Sequence, residues 1–203
     1  MKDLYPEGYF ERAEGSNYTR YSDDPGWPMT SILVARRLPI GAKVLEVGCA
    51  KGYWIYHARQ AGLEAYGIDI SAYAIDNAVP VVREFVRRED AASCIDALDT
   101  YDAVVSWEFF EHVPEDELDG VIENLSDVCK PDGLQLHRIC LPDEVGEDHD
   151  HTHVTMHPRE WWDKRFDSFG WAEEGTREFD LAFDGRDWAG RFFARRLPPR
   201  ADD

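Results

Sequence analysis

The segment Val44-Leu45-Glu46-Val47-Gly48-Cys49-Ala50-Lys51-Gly52 decides the fold. It starts as a short apolar run, passes through small residues, and is followed by a helical stretch from Tyr53 to Gln60. Small residues at such a strand-to-helix turn let a ligand lie close to the backbone N–H groups of the helix N-terminus. The segment therefore predicts a nucleotide-type binding site at one edge of a sheet.

The turn differs from the sequences that bind phosphate-bearing nucleotides. The dinucleotide pattern G-x-G-x-x-G has glycines where this chain has Ala50 and Tyr53. The turn also lacks the G-K-[ST] sequence of triphosphate-binding loops. An NAD-linked reductase is therefore only an alternative, and a cofactor without phosphates is favoured.

Short apolar runs alternate with helical stretches along the chain, which is typical of a parallel sheet with crossover helices. The predicted strands are Val44–Val47, Ala65–Ile70, Glu84–Arg87, Ala103–Trp107 and Leu134–Leu141, and the predicted helices include Pro28–Leu38, Tyr53–Gln60, one from Pro114 through Cys129, and Arg159–Ser168. Two further strands, near Trp171–Phe179 and Arg191–Leu197, with a turn at Asp184-Gly185, predict an antiparallel C-terminal hairpin. The expected fold is doubly wound α/β with a mainly parallel seven-stranded sheet.

Length and charge limit the possible functions. The 203 residues suffice for one domain, divided into an aromatic N-terminal segment (1–27), a core (28–141), and a loop with the C-terminal hairpin (142–203). The net charge of −19 argues against binding nucleic acid or an anionic membrane through a broad basic face. No export signal, long apolar run or C-x-x-C pair occurs, so we expect a cytoplasmic protein, monomeric or homodimeric, with free thiols.

Acidic residues follow the predicted strands in a regular way. Glu46 precedes the turn, Asp69 ends the second strand and Asp90 follows the third. The carboxyl ends of parallel strands meet at one edge of the sheet, so the sequence places three carboxylates there. A carboxylate accepts hydrogen bonds from two vicinal hydroxyls, as a ribose presents them, and such charge-assisted bonds are roughly twice as strong as neutral ones.

These motifs, with Gly67-Ile68-Asp69-Ile70-Ser71 and Asp102-Ala103-Val104-Val105-Ser106 through Glu111-His112-Val113, resemble the class I S-adenosylmethionine-dependent methyltransferases. The resemblance covers about residues 43–141 closely and implies a Rossmann-like fold, S-adenosylmethionine as cofactor, and a small-molecule acceptor. It implies that Glu46 supports the methionine end, that Gly48 and Gly52 leave room for the cofactor, and that Asp69 accepts the ribose hydroxyls. It also implies adenine contacts from Ile70, Asp90 and Ala91. Ala50 departs from the usual glycine by one methyl group.

The acceptor side is predicted from residues beyond the fourth and fifth strands. We expect His153 to act as general base, with His112 as second choice and Glu111 as its neighbour. If the segment is extended, His149, His151 and His153 point to one side and would form a metal site, but such loops are more often solvated, so no metal is predicted.

Aromatic residues near the N-terminus are expected to cover the cofactor. Tyr18, Tyr21 and Trp27 would form a lid, because aromatic faces attract a sulfonium and exclude water. The predicted function is methyl transfer to an oxygen or nitrogen of a small molecule, such as a sugar-bearing or other secondary metabolite. A non-catalytic module that only binds the cofactor is the alternative.

Overall fold

A seven-stranded sheet with helices on both faces organises the chain. The computed structural model describes residues 5–12, 14–16, 18–93, 95, 100–142, 150–183 and 191–198. The strands are Lys43–Val47 (β1), Glu64–Asp69 (β2), Val86–Arg88 (β3), Tyr101–Trp107 (β4), Cys129–Ile139 (β5), Ala172–Glu174 (β6) and Arg191–Arg196 (β7). The helices are Glu7–Glu11 (α1), Trp27–Ala35 (α2), Tyr53–Gln60 (α3), Ala72–Asp76 (α4), Leu118–Asp127 (α5), Arg159–Ser168 (α6) and Arg177–Phe183 (α7). Short 3-10 helices span Pro80–Phe85 and Phe110–His112.

The strand order confirms the predicted fold class. The strands lie in the order β3-β2-β1-β4-β5-β7-β6. The first five pair in parallel, whereas β7 is antiparallel to both β5 and β6. The strand order reverses on either side of β1, and in open α/β sheets ligands bind at such a switch point.

Side chains that alternate along the central strands build two apolar cores, one on each face of the sheet. Ala103 and Val105 of β4 join a core with Trp54 of α3, while Val104 between them faces the other core. Leu125 of α5 packs in that second core. Both faces of the sheet are therefore covered, as a doubly wound fold requires. In the part of the chain that is described, no helix has the length and apolar character needed to cross a membrane.

The strand predicted over Trp171–Phe179 is wrong beyond residue 174. After the short β6, Thr176 begins a turn in which its carbonyl accepts from the N–H groups of Phe179 and Asp180, at 2.8 and 3.0 Å. Helix α7 follows and buries Phe179 and Phe183, four residues apart, on one face. The predicted turn at Asp184-Gly185 lies outside the described residues.

Smaller corrections concern the borders of elements. The N-terminal segment, expected to be irregular, contains α1, and the helix predicted to Leu38 ends at Ala35. Residues 84–85 belong to a 3-10 helix, so the third strand begins only at Val86. The turn expected at 130–133 is an irregularity within β5, where Asp132 has a φ of 58°. Cys129 begins that strand and does not end α5.

Candidate active site

A cavity of about 560 Å³ lies at the carboxyl edge of the sheet. Its wall includes Gly48 and Ala50 from the turn after β1, Asp69 from the end of β2, and His112 from the segment after β4. The wall also includes residues of the N-terminal segment and His151, Thr152 and Val154. The cavity thus occupies the switch point at which the sequence predicts a ligand.

The turn after β1 borders the cavity with two small residues. Gly48 has a φ of +73°, and a Cβ built there would lie 3.1 Å from a ring carbon of Phe109. Ala50, at a φ of 45°, is also left-handed and lines the cavity. Gly52 caps α3, and an added Cβ would lie 3.1 Å from Val82. Gly48 and Ala50 line the cavity, whereas Gly52 is not among the described residues of its wall. Gly52 therefore contributes to the shape of the turn without lining the cavity.

Asp69 connects the two turns that border the cavity. Its Oδ2 accepts the backbone N–H of Ala50 at 2.7 Å, and its Oδ1 accepts that of Ser71 at 2.8 Å. Burial raises the pKa of Asp69 to about 6, although both hydrogen bonds oppose this shift. The carboxylate therefore connects the turns after β1 and β2, and it also lines the cavity.

Glu46 lies behind the turn as a buried carboxylic group. It is 3% exposed, and its Oε2 has no hydrogen-bond partner. Burial, together with the nearby Asp69, raises the pKa of Glu46 well above its usual range. A buried polar atom without a partner costs on the order of 1–3 kcal/mol, which a donor from a ligand would relieve.

The other predicted cofactor contacts lie on the cavity wall. Ile70, Asp90 and Ala91 follow β2 and β3 and all line the cavity. The Asp90 side chain accepts the backbone N–H of Ala92 at 3.0 Å, which fixes the turn after β3.

The N-terminal segment covers the cavity with aromatic rings, which we call the aromatic roof: Tyr5, Tyr9, Phe10, Tyr18 and Tyr21. Neighbouring rings meet edge to face, with centroids 5.0 to 6.0 Å apart. Burial raises the pKa of Tyr18 and of Tyr21. The lid prediction is wrong for Trp27, which starts α2 and packs in the core, 8% exposed.

Polar contacts attach the N-terminal segment that carries the aromatic roof to the turns after β1 and β2. The ammonium group of Lys51 is paired with Glu11 and lies 5.8 Å from the centre of the Phe10 ring. Ser71 donates its hydroxyl to the carbonyl of Tyr5 at 2.7 Å. No local sequence pattern predicts these contacts, because each joins residues 40 or more positions apart.

A cluster of three side chains, Glu111, His112 and His153, lies beside the cavity. One potential ligand atom from each lies within 4.8 Å of the others, and the two imidazole rings are 4.7 Å apart. His112 lines the cavity, whereas among the described residues His153 is not part of its wall. The Glu111 carboxyl group is fully buried, and burial and the charge of Glu108 raise its pKa well above the usual range.

The histidine-rich segment turns and does not form the extended row considered from its sequence. The backbone N–H of His153 donates to the carbonyl of Asp150 at 3.2 Å, and Asp150 Oδ1 accepts the N–H of Thr152 at 2.9 Å. His151 lines the cavity and is exposed, while the His153 side chain is 7% exposed. His149 lies outside the described residues.

Comparison with known proteins identifies the family. A family model described as a methyltransferase domain matches residues 29–176. The chain belongs to this family. Membership confirms the resemblance to the class I S-adenosylmethionine-dependent methyltransferases, with S-adenosylmethionine as the cofactor.

Individual relatives agree with this assignment. The chain is 32% identical over 101 residues to a ubiquinone biosynthesis O-methyltransferase of Chromobacterium violaceum, and the match covers 46% of this chain and 42% of that protein. The match thus spans less than half the length of that relative.

Solved structures of low identity share the fold. One is a magnesium protoporphyrin IX methyltransferase from Synechocystis with bound S-adenosylmethionine, with TM-score 0.61, 19% identity, and coverage of 85% of this chain and 80% of that one. Another is a Haloferax volcanii putative methyltransferase in complex with the Trm112 activator, with TM-score 0.63, 18% identity, and coverage of 85% and 90%.

The residues of this methyltransferase domain fit S-adenosylmethionine on two observations. Gly48 leaves open a space that a side chain would reduce, because a Cβ at this position would lie 3.1 Å from a ring carbon of Phe109. Glu46 carries a buried oxygen without a partner, which suits an ammonium group such as that of the methionine end. Both observations concern residues that the sequence predicts to hold the cofactor.

The methyltransferase domain is expected to bind its cofactor less tightly in mildly acidic solution. The sequence predicts that Asp69 accepts the ribose hydroxyls, which requires its ionised form, and the pKa of Asp69 is about 6. As the pH falls below about 6, the carboxylate takes up a proton, and the dissociation constant should rise by up to about tenfold per pH unit. Calorimetric titrations with S-adenosylmethionine from about pH 7.5 to 5 measure this dependence.

The matched control is Asp69→Asn, which cannot ionise and should give weaker binding that changes little over the same range. If that variant shows the wild-type pH profile, another group is responsible for the titration.

Proposed function

We propose that this chain transfers a methyl group from S-adenosylmethionine to an oxygen of a small-molecule acceptor. The observation that carries the proposal is one cavity that has both Asp69 and His112 on its wall. We assign cofactor binding to Asp69, and His112 is a group able to accept a proton from an acceptor. Oxygen is preferred to nitrogen because the curated relative is named an O-methyltransferase.

The cofactor half of the proposal assigns a role to each predicted residue. Asp69 accepts the ribose hydroxyls, and Asp90 the adenine amino group, while Ile70 and Ala91 flank the ring. Glu46 supports the methionine end behind the turn, and Tyr18 and Tyr21 cover the cofactor as part of the aromatic roof. S-adenosylmethionine supplies an electrophilic methyl group on a positively charged sulfur. Aromatic faces and nearby carboxylates favour that positive charge, and the roof excludes water from it.

The acceptor half concerns the proton that must leave the hydroxyl group. His112 lines the cavity, so it is the group of the cluster best placed to take that proton, with Glu111 and His153 next to it. The centroid of the His153 ring lies 4.7 Å from that of His112. His153 would therefore affect the acceptor only through His112. This reverses the order of the two histidines relative to the sequence-based prediction.

The wall of the cavity also indicates the character of the acceptor. It carries Asp69, Glu89, Asp90, Glu108 and Glu117, and no Lys or Arg is among its described residues. The buried Arg138 is paired with Glu108 at 2.7 Å. An anionic acceptor would find no opposite charge there, so we propose a neutral hydroxyl-bearing metabolite, which includes sugar-bearing ones.

A transfer assay tests the proposal. Purified protein is incubated with S-adenosylmethionine labelled in its methyl group and with a metabolite extract or a panel of phenols, catechols and glycosides. We expect label in a small-molecule product and release of S-adenosylhomocysteine, and neither product with Asp69→Ala. Cofactor binding without transfer to any acceptor would support the non-catalytic alternative, and binding of NADH in its place would support a reductase.

A further inference from the structure

Hydrogen bonds from the described residues of the protein satisfy only one oxygen of the buried Glu111 carboxyl group. One oxygen, Oε1, accepts the backbone N–H of Cys140 at 3.0 Å. The other, Oε2, is buried and has no hydrogen-bond partner, and the residue is fully buried. An unsatisfied carboxylate oxygen in such a place is costly unless a cation or a donor completes it.

The hydrogen bonds around His112 fix which ring nitrogen carries its proton. The hydroxyl of Thr152 donates to Asp150, so its oxygen is left to accept from a neighbour. Nδ1 of His112 lies 2.8 Å from that oxygen and is therefore the protonated nitrogen. Nε2 then carries the lone pair. A metal-binding histidine almost always donates its other ring N–H to an oxygen in this way.

Asp150 anchors the second histidine as well. It is 6% exposed, accepts the hydroxyl of Tyr9 at 2.8 Å, and lies 4.0 Å from Nε2 of His153. The backbone carbonyl of Glu111 accepts the N–H groups of Val154 and Thr155 at 2.9 and 3.0 Å. These contacts hold the segment that carries His153 against the segment that carries Glu111 and His112.

We propose that Glu111, His112 and His153 bind one divalent first-row metal ion, with open coordination positions towards the cavity. Two imidazoles and one carboxylate are a ligand set of zinc, iron or cobalt sites. Metal bonds of about 2.1 Å place bound ligand atoms about 3 to 4 Å apart. The three ligand atoms now lie within 4.8 Å of one another, so small side-chain rotations close the site.

The metal site would also contribute to the proposed methyl transfer, and this part of the inference rests on the proposed function. An acceptor hydroxyl bound at an open position would become more acidic, because a metal ion stabilises the oxyanion. Its proton would then leave to water, and the oxygen would keep the electron pair that forms the bond to the methyl group. In that case His112 is a ligand and not the base.

Cobalt titration of the untagged full chain, stripped with a chelator, tests the site. We expect one Co²⁺ per chain with a visible absorption band, and displacement of the band by Zn²⁺. His153→Ala and Glu111→Gln should each weaken Co²⁺ binding at least about tenfold. His157→Ala is the matched control, since this histidine lies in the same segment and is paired with Glu115. It should bind like the wild type.

Circular dichroism and S-adenosylmethionine binding establish that each variant folds, and His153→Asn replaces any variant that does not. The metal site is wrong if the wild type shows no saturable Co²⁺ binding. It is also wrong if His157→Ala loses Co²⁺ binding while His153→Ala keeps it. Binding of S-adenosylmethionine to the metal-free protein is measured separately. If the cofactor binds and cobalt does not, only the metal site is wrong and His112 stays the proposed base. If cobalt binds and the cofactor does not, the proposed function is wrong.

Discussion

Asp69→Ala is expected to weaken S-adenosylmethionine binding by roughly 100-fold or more. If Asp69 holds the ribose as proposed, the substitution removes two charge-assisted hydrogen bonds, each worth about 1.5–3 kcal/mol. It also releases the backbone N–H groups of Ala50 and Ser71, which Asp69 accepts at 2.7 and 2.8 Å. Isothermal titration calorimetry with wild type and variant measures the loss.

Two controls separate ligand contact from damage to the turns. Asp69→Asn keeps one carbonyl oxygen and should lie between wild type and Asp69→Ala in affinity. Asp76→Ala changes an exposed acid at the end of α4 and should bind like wild type. Thermal unfolding shows how far each variant is destabilised. An unchanged dissociation constant in a folded Asp69→Ala protein removes Asp69 from the cofactor site.

The turn after β1 could be predicted because the residues that determine it are close together in the sequence. The apolar run of β1, the small residues after it and the helical stretch from Tyr53 occur within about 20 consecutive residues, and the structure has strand, turn and helix in that order. Local sequence did not show that a side chain at Gly52 would meet Val82, because Val82 lies 30 positions further along the chain. It also did not show that Asp69 accepts a hydrogen bond from the backbone of Ala50 in that turn.

Helix α7 shows where local pattern is ambiguous. Phe179 and Phe183 are aromatic residues of the kind that favour strands, but their spacing of four also fits a helix. The structure resolves the ambiguity through tertiary contacts, since both rings pack on Phe192 of β7, with centroids 5.2 and 5.5 Å from it. A short window of sequence does not contain that partner.

The acceptor side was predictable only in part, for the same reason. Glu111 and His112 are neighbours in sequence, but His153 joins them through hydrogen bonds of the segment around residue 154 with Glu111. The same segment supplies Asp150 and Thr152, which orient the histidines and had no sequence signal of their own. Long-range placement, and not residue type, distinguishes His153 from the other histidines of that segment.

His112→Ala is expected to lower the rate of methyl transfer by about 10²- to 10⁴-fold. The ring lines the cavity, so its loss removes either the base that takes the acceptor proton or a ligand of the ion that acidifies the hydroxyl. Cofactor affinity should change little, because among the described residues none of the cofactor-turn contacts reported above involves this ring. Single-turnover transfer of labelled methyl groups, with the acceptor found in the transfer assay, measures the effect.

The matched control for this variant is His157→Ala, an exposed imidazole paired with Glu115 at 2.9 Å and stacked on Trp161. It should retain wild-type turnover. Added imidazole is expected to restore part of the activity of His112→Ala, because it can occupy the space of the missing ring. A folded His112→Ala protein with full activity would mean that the cavity accelerates transfer by alignment of the two reactants alone, a contribution that can itself be large.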